Sequence, residues 1–531
     1  MKKLVIIGGG INGAGIARDA AKRGWKVTLL EKNDFCSGTS WASSKLIHGG
    51  LRYLEHGEIG LVRESLRERE ILLRLHSYNV RPLQLLLAIY RHSPHRVTTL
   101  RMGMNLYEWL SIHRMLPRYQ FFTADQLDEF EPGLDKRKLQ GGLAYWDAQC
   151  VYPERLVLAN LHSAEEYGAE LLNYHEVVRF KRNGRKIFSV TAMDKLNSIE
   201  KEFEADMVVN SSGPWIDAVL QLGSMIRRRL IGGTRGSHIV VPRFENGPLH
   251  AIYTNAMVDG RPFFILPWRN YYLVGTTEVR HEDSQDELFP TYAEIDYLLE
   301  ETHNCFPAAA PRRQDILFSY AGIRPLPYST KKNPGAITRK HILIDHSKDG
   351  IDNLVSMVGG KLTTYRRMAE QAVDLIGKKT NDTTPSSTAI APLWGGEPTG
   401  SLTATALNQT NQRYRIDETI QQHLIDLYGS HYHEVLELAA SRPNGFEKLD
   451  SGESDISAQV IFAVKKEWAK KISDVMFRRT PAGLCPNLGF EAYRKAAEIM
   501  AVELKWSEIK KNEEIEDYKK FVKRFLLSHQ H

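Results

Sequence analysis

The sequence predicts an α/β fold, with a parallel-sheet domain interleaved with a mixed β-rich region and followed by an all-α C-terminal domain. Three observations predict it. The chain opens strand–helix–strand, with LVII at 4–7, a helical pattern over about 13–23 and VTLL at 27–30, an order that implies a parallel pair joined by a crossover helix. The middle carries β-branched and aromatic runs, among them KIFSVTAM (186–193), HIVVP (238–242), FFILP (263–267) and YYLVGTT (271–277). From 402 onward the β-signals fade and helical periodicity takes over, as at 458–477 and 489–504.

Each element has a local reason. Gly24 stops the first helix before VTLL. Residues 60–76 (GLVRESLREREILLRLH) form a charged amphipathic helix, and 153–168 form another that ends on Gly168. Strand patterns fill 170–211 and 230–280, and 292–304 and 364–378 read as helices. LVSMV (354–358) followed by Gly359-Gly360 and a helix returns to the opening pattern. The first 380 residues therefore form one unit built from separated segments, about 1–75, 150–220 and 335–380, with 76–149 and 221–334 inserted between them. The stretch 381–401, NDTTPSSTAIAPLWGGEPTGS, reads as a linker to a helical domain over 402–531.

Composition narrows the function. Charged residues at 25% and hydrophobic residues at 42% exclude a disordered, collagen-like or polytopic membrane chain. The net charge of +6 is far from a histone-like balance. Cys36, Cys150, Cys305 and Cys485 lie far apart without a CxxC, which argues against a zinc site or a disulfide scaffold and fits a reducing, cytoplasmic compartment. No metal is expected. No run of 18 apolar residues occurs, so no spanning helix is expected. Met1-Lys2-Lys3 before an apolar run resembles a signal peptide only superficially, because that run is loaded with glycine.

Those glycines form G-x-G-x-x-G at Gly8, Gly10 and Gly13, directly after a strand and at the mouth of a helix. The first glycine permits the tight turn, the second lets the backbone approach a pyrophosphate, and the third lets helix pack on strand. The helix N-terminus offers unpaired N–H groups to the phosphates. Glu31 closes the second strand, 18 residues after Gly13, where a carboxylate accepts ribose hydroxyls. The reading is a Rossmann-like dinucleotide site. The fingerprint alone does not separate FAD from NAD.

Three stretches are more specific: IGGGINGAGIARDAAKRG (7–24), SSKLIHGGLRYLEHGE (43–58) and GGKLTTYRRMA (359–369). Together they closely resemble the FAD-dependent, respiratory, membrane-associated glycerol-3-phosphate dehydrogenases. Weaker agreement runs through VVNSSGPW (208–215), GSHIVVP (236–242), YAGIRPL (320–326) and AITR (336–339) into the tail. The resemblance implies FAD as cofactor, oxidation of sn-glycerol 3-phosphate to dihydroxyacetone phosphate by hydride transfer from C2 to flavin N5, and transfer of the electrons to quinone. It makes 76–149 and 221–334 the substrate- and membrane-facing segments.

The expected cofactor contacts are Gly8, Gly10, Asn12, Gly13 and Glu31 at the dinucleotide end. Ser43, Ser44 and Lys45 follow near the flavin ring, then Gly213, and then Gly360, Lys361, Leu362 and Thr363 at a second helix mouth. A phosphate-bearing alcohol needs cations and a proton acceptor. Arg52, Arg324 and Lys361 sit in glycine- or proline-flanked motif contexts, with Arg339 a further candidate and Tyr53 a hydroxyl donor. His48 or His238 is the expected base, with Arg324 polarising the oxygen.

Residues 74–118 hold seven arginines, four histidines and one acid, Glu108, a net +6 in 45 residues. Leu83, Leu85–Leu87, Ile89, Leu100, Met102, Met104, Leu106, Trp109, Leu110 and Met115 accompany them. That mixture reads as a helix on an anionic membrane surface, which fits peripheral attachment to the inner face of the cell membrane. Arg227–Arg229 form a second basic patch. Alternatives at this stage are a glycerol-3-phosphate oxidase that uses oxygen, an amine or amino-acid oxidase, and a flavin-bearing nucleic-acid-binding or scaffold protein. No nucleic-acid partner is expected, since aromatics do not interleave with basic residues on a strand platform. A homodimer is left open, and so is covalent attachment of FAD.

Overall fold

The structure, a computed structural model, describes residues 1–111, 115–222, 228–281, 288–308, 311–330, 337–396 and 402–526. Its first sheet has the strand order Ile342–Asp345, Leu354–Val358, Met207–Asn210, Lys3–Ile7, Lys26–Leu30, Glu170–Leu172. Lys3–Ile7 lies parallel between Met207–Asn210 and Lys26–Leu30. Only Ile342–Asp345 runs antiparallel in this sheet. Leu4, Ile6, Val27, Leu29, Val208 and Leu354 are almost wholly buried, the continuous apolar pattern of a sheet covered on both faces. The helix Ile11–Lys22 packs on Pro153–Glu165 and Tyr365–Thr380. The expected α/β architecture, interleaved along the chain, is the one observed.

A second, ten-stranded sheet runs from Val279–Arg280 through Thr234–Pro242, Tyr271–Gly275, Pro262–Trp268, Ala251–Asn255, Val80–Tyr90 and Leu139–Cys150 to Leu46–Ile47, with Phe318–Arg324 and Gln120–Phe122 paired beside it. Its strand ends deliver motifs. Leu46–Ile47 leads straight into His48–Tyr53, and Phe318–Arg324 ends on its arginine.

The reading of 74–118 as a surface helix is corrected here. Val80–Tyr90 is a strand, antiparallel to Leu139–Cys150 from Val80 opposite Cys150 to Tyr90 opposite Leu139. Leu85–Tyr90 are buried. A short apolar run buried on both faces carries no period, so strand and helix look alike in sequence. The helix that remains is Val97–Leu110. Its inner face is Met104, Tyr107 and Leu110, while Met102, Trp109 and the following Met115 are more than half exposed. His113 and Arg114 of this segment lie outside the described residues.

The stretch expected as a linker is a strap over 386–396 that packs on the first domain. Arg18 donates to the carbonyls of Ala391 (2.8 Å) and Pro392 (3.0 Å). Trp394 is sandwiched between His162 and His431, both ring centroids at 4.3 Å. Residues 397–401 lie outside the described residues. The tail is helical, though 458–477 is broken after Ser457–Lys466 and resumes as Ile472–Asp474 and a wide turn, Val475–Arg479. That turn aims Arg478 and Arg479 at the buried Asp34, with 2.8 Å from Arg479 Nη2 to Asp34 Oδ1, and Arg155 pairs with Glu467 at 2.7 Å. Buried ion pairs thus bind the helical domain to the loop after the second strand, through Asp34, and to the helix Pro153–Glu165, through Arg155.

Candidate functional site

A cavity of about 720 Å³ runs between the two sheets, within the usual range for a cofactor or ligand site. One end is the glycine fingerprint. Gly8 has φ +107°, and a Cβ there would lie 2.7 Å from the Ser211 carbonyl oxygen. A Cβ on Gly13 would meet the Gly8 carbonyl oxygen at 1.8 Å, so the strand and helix approach as only glycine allows. Ser40 Oγ accepts the Ile11 N–H at 2.9 Å. The Glu31 carboxylate accepts the N–H groups of Gly9 (2.7 Å) and Asn33 (2.9 Å), which fixes it at the cavity wall.

Around the middle, Gly213 (φ +61°) opens the short helix Gly213–Trp215. Gly360 (φ +104°) leaves room for Met368, whose Cε a Cβ would meet at 2.2 Å, and leads into Leu362–Thr364. Thr363 Oγ1 accepts the His48 N–H at 3.1 Å, which ties this turn to the His48 segment. Lys45 holds φ +58°. Its ammonium is buried 3.8 Å from a Glu154 oxygen and 5.0 Å from the Trp268 ring centroid.

The far end gathers the cations. Gly50, at φ +77°, lies directly under the Tyr53 ring. Lys361 Nζ sits 3.7 Å from that ring's centroid and donates to Ser65 Oγ at 3.2 Å. Burial lowers the Lys361 pKa, with Arg52 adding to the effect. Arg324 donates to Thr276 Oγ1 (2.8 Å) and the Thr277 carbonyl (3.3 Å), and burial with the nearby Arg339 brings its pKa down to about 10. Arg339 is paired with Glu278. Burial pushes the Tyr53 phenol up, but Lys361, Arg52 and Arg339 outweigh it and leave the pKa lowered. Four cations against one carboxylate make a site for a multiply charged anion.

Two histidines face this cluster. His238 Nε2 is 2.9 Å from Ser44 Oγ, its ring stacks on Tyr320 with centroids 5.0 Å apart, and its Nδ1 is buried without a partner. Tyr320 OH donates to the Ser43 carbonyl at 2.7 Å, locking the stack. Burial, then Arg324 and Lys45, hold the His238 pKa well below the ordinary value. Burial, then Lys361, Arg52 and Arg69, bring that of His48 down to about 3. Both rings are neutral at pH 7 and able to accept a proton.

The linkage has a definite sign. Below an unfolded-state pKa of about 6.5 the unfolded chain takes up protons that the folded one refuses, so stability falls with pH by up to about 1.4 kcal/mol per pH unit for each histidine. For His48 this continues down to its folded value of about 3. Urea unfolding of the apoprotein between pH 7 and pH 5 is expected to show this slope, and His48→Gln or His238→Gln to flatten it. Equal slopes in parent and variants would refute it.

Of the cofactor, substrate and catalytic candidates singled out in sequence, all line the cavity except Gly13, which sits behind its wall. Arg227 lies outside the described residues. Arg228 pairs with Asp349 (2.9 Å) and Arg229 lies over the Tyr328 ring, so these two are engaged within the protein. Sequence reasoning missed Glu278, although an acid that ends the YYLVGTT run repeats the position of Glu31 after VTLL. It also missed Arg478, Phe521 and Arg524 of the tail, which reach the same cavity. No local signal marks those three.

A glycine-lined dinucleotide groove that ends in cations and neutral histidines has the make-up of a dinucleotide-dependent oxidoreductase. The family model described as FAD dependent oxidoreductase matches residues 3–366, and one described as the C-terminal domain of alpha-glycerophosphate oxidase matches 386–511. The glycerol-3-phosphate dehydrogenase of Synechocystis sp. is 41% identical, with 98% of this chain and 96% of that protein covered. The D-erythritol 1-phosphate dehydrogenase of Brucella abortus is 36% identical, covering 90% and 93%. The crystal structure of the glycerol-3-phosphate dehydrogenase from Bacillus halodurans, complexed with FAD, superposes with a TM-score of 0.82 at 28% identity, covering 99% of this chain and 95% of that one. The chain belongs to the FAD-dependent glycerol-3-phosphate dehydrogenase family. The close backbone approach at Gly8 and Gly13 and the anchored Glu31 fit an FAD in this cavity.

Proposed function

We propose that this chain oxidises sn-glycerol 3-phosphate to dihydroxyacetone phosphate and passes the electrons to a membrane quinone. The observation that carries the reading is the cation cluster of Arg52, Arg324, Arg339 and Lys361 beside two neutral histidines in a dinucleotide cavity. Two of its relatives in sequence are named as dehydrogenases of polyol phosphates. Bound FAD supplies the hydride acceptor. Gly8, Gly10, Asn12 and Glu31 would hold its dinucleotide part, with Ser43, Ser44, Gly213, Gly360, Leu362 and Thr363 along the rest.

The chain's own residues do the remainder. Arg52 and Lys361 hold the phosphate, and Tyr53 donates to it. Arg324, kept in place by Thr276 and Thr277, polarises the C2 oxygen. His238 or His48 accepts the hydroxyl proton as hydride leaves. The stacked His238 is the better anchored of the two, through Ser44 and Tyr320.

Under anaerobic conditions sn-glycerol 3-phosphate is expected to bleach the flavin absorbance of the purified protein. A preparation that stays yellow refutes the assigned reaction. A second acceptor, oxygen, is suggested by the oxidase for which the matched tail model is named. Rapid re-oxidation by a quinone analogue and slow re-oxidation by air support the dehydrogenase, and the reverse supports the oxidase.

A quinone is lipid-dissolved, so the reading includes peripheral attachment to the inner face of the cell membrane. No helix among the described residues is long and apolar enough to cross a membrane. Support comes from Val97–Leu110, which exposes Met102 and Trp109 beside the exposed Arg91, Arg96 and Arg101. Each cation near an anionic surface contributes about 1 kcal/mol. Neutralising Arg91, Arg96 and Arg101 together is thus expected to weaken binding to phosphatidylserine vesicles about 100-fold. Unchanged co-sedimentation refutes the attachment surface.

A further inference from the structure

The segment Thr276–Glu278 sorts the cations of the cavity. Thr276 and Thr277 take Arg324, and the Glu278 main-chain carbonyl takes Arg261 Nη1 at 2.8 Å. The Glu278 carboxylate takes Arg339 through Oε1. Both partners of that pair are more than nine-tenths buried, so water supplies little compensation. No described donor other than Arg339 reaches the Glu278 carboxylate, which leaves Oε2 with its full acceptor capacity, and Glu278 lines the cavity.

The consequence is a division of labour. Among the described residues Arg52, Arg324 and Lys361 have no carboxylate within ion-pairing distance, whereas Arg339 is neutralised. A phosphate dianion is drawn to the uncompensated cations and repelled from the position of Glu278. Burial raises the Glu278 pKa, but Arg339 and Arg324 outweigh it and keep the carboxylate ionised. An ionised carboxylate only accepts hydrogen bonds, and the group that suits it is a hydroxyl donor.

We propose that Glu278 is a specificity residue: its carboxylate, held by Arg339, accepts a hydrogen bond from a polyol-phosphate hydroxyl other than the one oxidised, and keeps the phosphate out of that position. This inference rests on the polyol-phosphate reading above. It gives the site a reason to select a phosphorylated polyol over a phosphorylated mono-alcohol or free phosphate, and to bind it in one direction.

The test compares sn-glycerol 3-phosphate with its deoxy analogue, propane-1,2-diol phosphate of matching configuration, which lacks the second hydroxyl. A hydrogen bond to a charged group is worth about 1.5–3 kcal/mol, so the holoenzyme is expected to favour the triol phosphate by about 10–100-fold in kcat/KM, chiefly through KM. In Glu278→Ala the preference falls to within about threefold, with Glu278→Gln intermediate, and inorganic phosphate inhibits about tenfold more strongly because Arg339 is released. A parent enzyme that oxidises both substrates equally overturns the proposal even if no variant folds, and so does a Glu278→Ala enzyme with an unchanged ratio. A parent enzyme whose flavin neither substrate bleaches refutes the proposed function instead.

Discussion

Arg52→Ala is expected to lower kcat/KM for sn-glycerol 3-phosphate by about 10²–10³-fold while FAD stays bound. Removing one partner of a desolvated charge-assisted contact costs roughly 2–5 kcal/mol, since the other charge is left unanswered. Arg52 has no carboxylate partner among the described residues and leans on Tyr53, 5.3 Å from guanidinium carbon to ring centroid. The phosphate takes no part in the bonds made or broken at C2, so the loss falls chiefly on KM. Arg52 lies at the opposite end of the cavity from Gly8 and Glu31, so the flavin spectrum and FAD content are expected to match the parent. A colourless variant, or one with an unchanged KM, places Arg52 elsewhere in the chemistry.

Gly13→Ala is expected to abolish FAD binding. A Cβ there would stand 1.8 Å from the Gly8 carbonyl oxygen, backbone against backbone, and no rotamer change relieves it. The opening helix must move off the strand Lys3–Ile7, which is held by parallel partners on both sides. Overpacking of this kind costs about 1–3 kcal/mol or more, and the displaced helix mouth no longer meets the pyrophosphate. The variant is expected to purify with less than about a tenth of the parent's flavin, and added FAD no longer raises its Tm. Gly60→Ala, a helical glycine with nothing within 4 Å of its would-be Cβ, is the control and is expected to keep both. A yellow Gly13→Ala protein refutes the argument.

Much of the molecule was legible because its signals are local. The fingerprint couples residues within one βαβ turn, and SSKLIHGGLRYLEHGE carries His48, Arg52 and Tyr53 in a single stretch. Val80–Tyr90 was not legible, because an apolar run buried on both faces has no period to betray it. The strap at 386–396 read as a linker from its Thr, Ser, Pro and Gly content, whereas Trp394 and Leu393 bury it. The tail's share of the cavity was invisible for a different reason. Arg478 finds Asp34 across 444 residues, and no short-range pattern encodes such a pair.

The amino-acid sequence by itself determined the dinucleotide end, since the spacing of Gly8, Gly10, Gly13 and Glu31 sets backbone geometry that any fold around it must respect. It also singled out motifs whose cations, Arg52, Arg324, Arg339 and Lys361, all line one cavity. Only the tertiary structure decided which of those cations remain uncompensated. Arg339 is neutralised by Glu278, 61 residues earlier in the chain, while Arg52 and Lys361 are not. The physical reason is that a charge's availability depends on every group packed against it in a water-poor interior, and those neighbours are set by sheet topology, not by proximity along the chain.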